Sequence, residues 1–315
     1  MRDRFGREID YLRISVTDLC NLRCAYCMPP EGVRKREHRD ILSLEEIAET
    51  AREAAALGVR KIRLTGGEPL VRRGLPALCR ALRAIDGVED LALTTNGLLL
   101  PGMAAELKAA GVRRVNISLD TLDPEKYRAM TRGGRLEDAL AGIRAAWEAG
   151  LTPLKLNAVL IGGFNDDEIP ALAALTREAP VEVRFIELMP MTGAFGPEAY
   201  LPCTAVLERL RDLEPAEGDG GVARRYRLPG AAGTVGLISP LSCDFCGGCN
   251  RLRLTADGFL KPCLHSGKEL SVRGLHGEAL RGRIREAVLE KPARHGPLSA
   301  GERSPAGRPM NRIGG

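Results

Sequence analysis

The chain has 315 residues, 44% hydrophobic, 28% charged and only 4% aromatic, which suits a globular protein with one large domain plus an extension, or with two domains. Its formal net charge of +5 is spread without Lys/Arg runs, which points to an anionic small ligand rather than to a nucleic-acid tract. No apolar stretch approaches the ~18 residues of a bilayer span and Met1 to Asp10 lack the apolar core of a secretion signal, so a cytoplasmic protein without membrane association is expected.

The first β-like run covers 11–17, where Leu12, Ile14 and Val16 alternate with Arg13, Ser15 and Thr17, the period of a strand. Directly behind it stand Cys20, Cys24 and Cys27, a C-x3-C-x2-C run with Tyr26 before the last thiol. Thiolates are soft donors that suit zinc or iron-sulfur clusters, and a four-iron cube held by three of them keeps one iron open to a small molecule. A zinc knuckle would need a fourth Cys or His close by. The next candidate, His38, lies outside that spacing.

Ser43 with Glu46 reads as a helix capping box. Strand 61–67 sets Ile62 and Leu64 against Arg63, Thr65 and Gly67, and ends in T-G-G-E-P, whose glycines let backbone approach a ligand closely. Strand 90–96 sets Leu91 and Leu93 against Ala92, Thr94 and Asn96; strand 114–120 sets Val115, Ile117 and Leu119 against Asn116, Ser118 and Asp120. A helix is expected from Asp123 with Pro124 at its first position. Strand 151–161 opposes Lys155 and Asn157 to Leu154, Leu156 and Ala158, Asn165 with Glu168 reads as a further helix start, and 181–189 is the sixth strand. Strands alternating with helices predict a parallel sheet whose right-handed crossovers curl it into an open barrel, with functional groups at the carboxyl ends of the strands. Five strands with one polar or cationic face predict a wet, ligand-filled lumen, because helices normally cover the outer side of such a sheet.

Residues 190–233, rich in Pro, Gly and polar groups, read as a linker or irregular segment. Strands near 224–228 and 234–239 follow, then a hairpin from Arg251–Thr255 through Asp257-Gly258 to Phe259–Leu264. Around that hairpin Cys246, Cys249 and Cys263 form C-x2-C-x13-C, a second metal site; with Cys243 the run could also hold structural zinc. The nine cysteines are odd in number and mostly clustered at metal-ligand spacing, so a reducing compartment is expected. Cys79 and Cys203 read as buried small hydrophobes. The Pro/Gly/Arg-rich stretch 291–312 is expected to stay mobile until something anchors it.

The cysteine run with its aromatic resembles the signature of the radical S-adenosylmethionine (SAM) superfamily, and the G-G-E-P stretch falls where that family contacts the SAM amino group. The resemblance implies an incomplete parallel (β/α)6 barrel over 1–195, with a first 4Fe-4S cluster on Cys20, Cys24 and Cys27. SAM would meet Tyr26, Gly67, Ser118 and Met189. Its cleavage would give methionine and a 5′-deoxyadenosyl radical.

L-R-I-S-V-T-D-x-C-N-x-R-C-x-Y-C, K-I-R-L-T-G-G-E-P, S-L-D, R-F-I-E-L-M-P, F-C-x-x-C-N-R-L-R-L-T-A-D-G-x-L-x-P-C-L and the terminal R-I-G-G resemble, nearly end to end, the GTP 3′,8-cyclase family that begins molybdenum-cofactor biosynthesis. That resemblance implies a smaller C-terminal region, 196–315, with a second 4Fe-4S cluster on Cys246, Cys249 and Cys263 whose open iron meets guanine. Arg13, Arg63, Thr94, Lys155 and Arg184 would line the GTP pocket, with Arg251, Leu252 and Arg253 beside the second cluster. Cys243 lies outside the family pattern and reads as a bystander. Arg13, Arg251, Arg253 and the Gly314-Gly315 tail, with Arg312 near it, would act in the reaction: the adenosyl radical takes the ribose 3′ hydrogen, and the sugar radical attacks guanine carbon 8. Implied partners are a one-electron donor, cyclic pyranopterin monophosphate synthase as consumer of the product, and a second copy of the chain in a homodimer. The alternatives are a peptide or sulfatase maturase, which usually carries a longer seven-cysteine signature, and a zinc-ribbon binding module without catalysis.

Overall fold

A computed structural model describes the chain except for residues 34, 35, 219, 244, 299–302 and 315. Six strands alternate with helices: β1 (Tyr11–Ser15), β2 (Lys61–Thr65), β3 (Asp90–Thr95), β4 (Arg114–Ser118), β5 (Lys155–Leu160) and β6 (Glu182–Glu187). Six more follow: β7 (Glu214–Pro215), β8 (Arg224–Arg227), β9 (Thr234–Ile238), β10 (Arg251–Leu254), β11 (Phe259–Lys261) and β12 (Leu270–Ser271). All belong to one sheet of order β12-β11-β10-β1-β2-β3-β4-β5-β6-β9-β8-β7.

The run from β10 through β1–β6 to β9 is parallel throughout, while β11 and β12 at one edge, and β8 and β7 at the other, are antiparallel. The hairpin read from the sequence is present as β10–β11, and the two strands read near 224–228 and 234–239 pair as a second hairpin, β8–β9. Each also lends one strand to an edge of the six-stranded sheet, a pairing that no local signal announces. The sheet is open, with β12 and β7 as its two edges.

The described residues include nine α-helices: α1 (Leu44–Ala56), α2 (Leu75–Arg83), α3 (Ala104–Ala109), α4 (Pro124–Thr131), α5 (Leu136–Glu148), α6 (Ile169–Glu178), α7 (Thr204–Arg209), α8 (Gly277–Leu289) and α9 (Met310–Ile313). The apolar strand faces, Leu12, Ile14, Ile62, Leu64, Leu91, Leu93, Val115 and Ile117, share one buried core with Ile47, Ala51, Leu78, Leu82, Ala139 and Leu172 of the helices. Each fully buried aliphatic of this kind contributes about 2 kcal/mol. This packing turns the polar strand faces inward.

Local signals place most helix starts. The Ser43 hydroxyl accepts from the Glu46 N–H at 3.1 Å and the Glu46 carboxylate accepts from the Ser43 N–H at 2.7 Å, so the capping box is formed. Asp123 caps α4 through the Glu125 and Lys126 N–H groups. A helical turn starts behind Asn165 as expected, but Asn165 and Glu168 make no side-chain cap there. Asn165 is drawn to Asp120 and Val159, whose carbonyl oxygens accept from its amide at 2.7 and 2.8 Å, and Glu168 is drawn to the Thr121 hydroxyl and the Leu122 N–H. Tertiary partners outcompete the local pattern there.

Candidate active site

The parallel pairing of β10 with β1 fixes where the two cysteine triads lie. Cys20 follows the carboxyl end of β1, whereas Cys249 stands just before the amino end of β10. The triads therefore cap opposite ends of one lumen, separated by about five residues of strand, or ~16 Å.

At the first end the loop 17–20 leans on the glycines after β2. A Cβ on Gly66 would stand 2.4 Å from the Thr17 carbonyl oxygen, and one on Gly67 2.4 Å from that of Leu19. The Gly67 and Glu68 N–H groups donate to those same carbonyls, each at 2.8 Å. The close approach that these glycines permit is thus first of all to the cysteine loop. Glu68 is buried and accepts from the Leu70 and Asn96 N–H groups and the Thr95 hydroxyl; burial pushes its carboxyl up to about 7 against those three donors. Asn96 donates to Asn21 at 2.8 Å beside Cys20. Tyr26 donates to Asp120 at 2.9 Å, and Tyr26 and Met189 line one small cavity. Asp120, though part of the S-L-D motif, and Asn96 were given no site role from the sequence, although both stand on polar strand faces.

Burial pushes the Cys20 thiol up to about 11 and the Cys27 thiol up to about 12, and raises Cys24 with help from Asp120 and the two neighbouring sulfurs. The three sulfurs therefore share one site. Without a cation they stay protonated, so metal binding there must displace protons.

The lumen wall is cationic. Arg253, Arg13 and Arg63 stand side by side at one level on β10, β1 and β2. Burial and the neighbouring guanidiniums of Arg253, Arg63 and Arg251 all work against the charge on Arg13. Arg63 donates to the Tyr11 hydroxyl at 2.5 Å and to the Thr94 hydroxyl at 3.2 Å. Tyr11 was not singled out, yet it shares the strand parity of Arg13. Burial alone would raise its phenol, but Arg63, Arg13 and Arg251 outweigh that and bring it to about 7.

On the far wall Lys155 and Arg184 share the carboxylate of Glu182, at 3.1 and 2.5 Å, with Arg225 as its third partner. Burial opposes the charge on Glu182, but these cations hold its pKa down to about 2. Ser118 pairs with Asn157 across β4 and β5. Leu252 is fully buried in the helix-side core, so only its backbone belongs with the arginines flanking it.

At the second end Cys246 and Cys249 sit in one tight turn, with the Cys249 N–H on the Cys246 carbonyl at 3.1 Å. Burial would raise the Cys249 thiol, but Lys291, Arg251 and Arg253 hold it below its ordinary value. The Arg251 guanidinium stacks 5.1 Å from the Phe245 ring. Glu187 at the end of β6 accepts from the Cys203, Leu241 and Ser242 N–H groups and so ties the approach to this triad down. Cys243 is exposed.

The C-terminal segment is anchored rather than loose. The Ser304 N–H donates to the Pro190 carbonyl, Arg308 is bidentate to Asp257 with both contacts at 2.8 Å, and Asn311 donates to the Asp18 carbonyl at 3.0 Å. Ile313 packs with Met191 and Ala306. Gly314, at φ 88°, lies against Ser15 and Thr65, and its carbonyl accepts from Arg253 at 2.5 Å. Gly315 lies outside the described residues.

The donor sets fit iron-sulfur chemistry. Both triads offer sulfur donors alone, which suit such a cluster, while among the described residues no group of three His, Cys, Asp or Glu stands close enough to hold a single metal ion. The side-chain oxygens of Asn116, Asn157 and Asn311 and the Arg312 Nε are buried without a hydrogen-bond partner among the described residues, as polar groups that face a ligand would be. No helix among the described residues is long and apolar enough to cross a membrane.

Residues 14–176 match the model of the radical SAM superfamily and residues 181–297 the model described as Molybdenum Cofactor Synthesis C. Similar proteins include the GTP 3′,8-cyclases of Peptoclostridium acidaminophilum, 53% identical over 99% of this chain and 98% of that one, and of Pelotomaculum thermopropionicum, 52% identical over all of both. The corresponding protein of Alkaliphilus oremlandii is 48% identical, again over the full length of both. Among solved structures, Streptococcus suis SuiB bound to its precursor peptide SuiA covers 91% of this chain and 71% of its own at a TM-score of 0.62 and 14% identity. Native anSMEcpe with bound AdoMet covers 90% and 81% at 0.61 and 15%. Identities this low indicate a shared fold alone.

Proposed function

The chain belongs to the GTP 3′,8-cyclase family of the radical SAM superfamily, and on that premise we propose how its own residues serve the family's reaction. That reaction converts GTP to (8S)-3′,8-cyclo-7,8-dihydroguanosine 5′-triphosphate, with release of 5′-deoxyadenosine and methionine, as the lyase step that opens molybdenum-cofactor biosynthesis. SAM and two 4Fe-4S clusters are its cofactors. When bound and reduced, the cluster at the first triad supplies the electron that cleaves the SAM sulfonium.

Cys20, Cys24 and Cys27 hold the first cluster, and Tyr26, Gly67, Ser118 and Met189 hold SAM beside it. Cys246, Cys249 and Cys263 hold the second. The observation that carries the reading is the row Arg253, Arg13 and Arg63 at one level between the triads. A triphosphate brings close to four negative charges, and guanidinium forks match its oxygens in pairs. Burial and the neighbouring guanidiniums oppose the charge on Arg13, and an anion bound among them relieves part of that cost. Thr94, Lys155 and Arg184 complete the pocket, with Arg251 and the backbone of Leu252 toward guanine. Arg13, Arg251, Arg253 and the tail at Gly314 act on the reacting sugar and base, with Gly315, outside the described residues, assigned to the same task by the family resemblance. Their task is to hold the two carbons in reach and to keep water out.

Residues 1–195 form the SAM-binding region and 196–315 the region of the second cluster and the tail. The protein works in the cytoplasm as a homodimer, takes single electrons from a reductant protein or molecule, and passes its product to cyclic pyranopterin monophosphate synthase. Anaerobic incubation with GTP, SAM and a strong reductant tests this: deoxyadenosine and a fluorescent pterin derived from the product are expected, with about eight irons per chain. Zinc without iron, or deoxyadenosine that depends on a peptide and not on GTP, overturns it.

A further inference from the structure

We propose that Lys291 and Arg7 are positioning residues for the second cluster, two cations that pin its three cysteine segments to one post and leave an ammonium at its rim. The inference rests on Cys246, Cys249 and Cys263 being the ligands. Lys291, just past α8, is 4% exposed. Its ammonium donates to the Arg251 carbonyl at 2.7 Å and the Pro262 carbonyl at 2.8 Å, and lies 3.9 Å from the Cys249 sulfur. Arg251 comes two residues after Cys249, and Pro262 directly before Cys263. One ammonium thus clamps both ligand segments that flank the β10–β11 hairpin, and two carbonyls and a sulfur occupy its three donors.

The remaining ligand is held from the N-terminal segment. Arg7 donates to the Cys246 carbonyl at 2.7 Å and, with the same guanidinium, to the Pro292 and Ala293 carbonyls at 2.7 and 3.0 Å. Its Nε is fixed on Asp3 at 2.6 Å. Residues 291–293 are therefore the post to which all three cysteines are tied. Burying an ammonium among carbonyls is costly, and a lysine at the end of a helix could have stayed in water. An anionic three-thiolate cluster gives that charge a reason to be there, because a positive group beside a ligand sulfur favours both the thiolate and the reduced cluster.

The test compares wild type with Lys291→Met, each loaded anaerobically with iron and sulfide, by iron content, by the spin-resonance signal of each cluster and by the midpoint potential of the second. In the variant the SAM-sensitive signal of the first cluster should persist, chelator should strip the second about 10- to 100-fold faster, and the potential of what remains should move more negative. Unchanged retention and potential overturn the proposal. A wild type that holds only the first cluster instead overturns the ligand assignment beneath it. Should Lys291→Met fail to fold, Arg7→Gln carries the test: faster loss of the second cluster supports the clamp, and wild-type retention overturns it.

Discussion

Arg253 donates a hydrogen bond to the carbonyl oxygen of Gly314 at 2.5 Å, joining the residue before last to a hairpin strand 61 residues earlier. The contact needs a glycine there. Its φ of 88° is in the left-handed region, and a Cβ would stand 2.9 Å from Thr65 Cγ2 and 3.1 Å from Ser15 Cβ. Strain of this kind costs of order 1–3 kcal/mol, enough to move a short tail out of the lumen. Gly314→Ala should lower turnover by roughly 10- to 100-fold while iron content stays at the wild-type level. Full turnover would remove the tail from the mechanism.

Tyr11 supplies a pH signature. Its phenol sits at about 7 because the Arg63, Arg13 and Arg251 guanidiniums outweigh the burial that opposes its ionisation. A pKa depressed from the ordinary 10 stabilises the fold progressively as pH rises above about 7, and that contribution disappears as pH falls through the same value. The phenolate also competes with an incoming triphosphate for the same arginines. GTP affinity should therefore weaken between pH 7 and 9, by at most about tenfold per unit for one linked proton, and Tyr11→Phe should remove that part of the slope. Calorimetric titrations of both proteins across the range check it; parallel slopes would exclude Tyr11.

The six barrel strands were legible because apolar residues repeat with period two and the helices can cover only one face. The same parity that exposes Arg13 and Arg63 to the lumen also exposes Tyr11 and Glu182, so those two were readable and were passed over for want of a motif around them. Lys291 and Arg7 were not readable. Each meets its partners through backbone carbonyls far along the chain, and carbonyls carry no residue-specific mark. The pair Asn165 and Glu168 shows the converse: a helix does start there, as the spacing suggests, yet Asp120 and Thr121, neighbours only in space, claim both side chains.

Glu182 is the anion that allows Lys155, Arg184 and Arg225 to be buried together. Its pKa of about 2 lies below the ordinary 4.5, so its contribution is complete above about 4.5 and is lost as pH falls toward 2. Glu182→Gln removes the carboxylate that Lys155, Arg184 and Arg225 share, and losing one partner of a buried ion pair typically costs about 3–5 kcal/mol. Thermal unfolding should shift down accordingly, and saturating GTP should restore part of the loss, since a phosphate group can replace the missing charge. A variant as stable as wild type would show that the cations find water instead.

Cys243 completes a four-thiol run in sequence, but it is exposed while Cys246, Cys249 and Cys263 are each half-buried. A fourth thiolate on the second cluster would saturate the iron that guanine must reach. Three ligands with Cys243 as a bystander predict that Cys243→Ser keeps about eight irons per chain, an unchanged spectrum and wild-type GTP turnover. If Cys243 were a ligand, the variant would lose the second cluster or show a new signal from an opened iron. Iron analysis together with the spectrum of the reduced protein separates the two outcomes in one preparation.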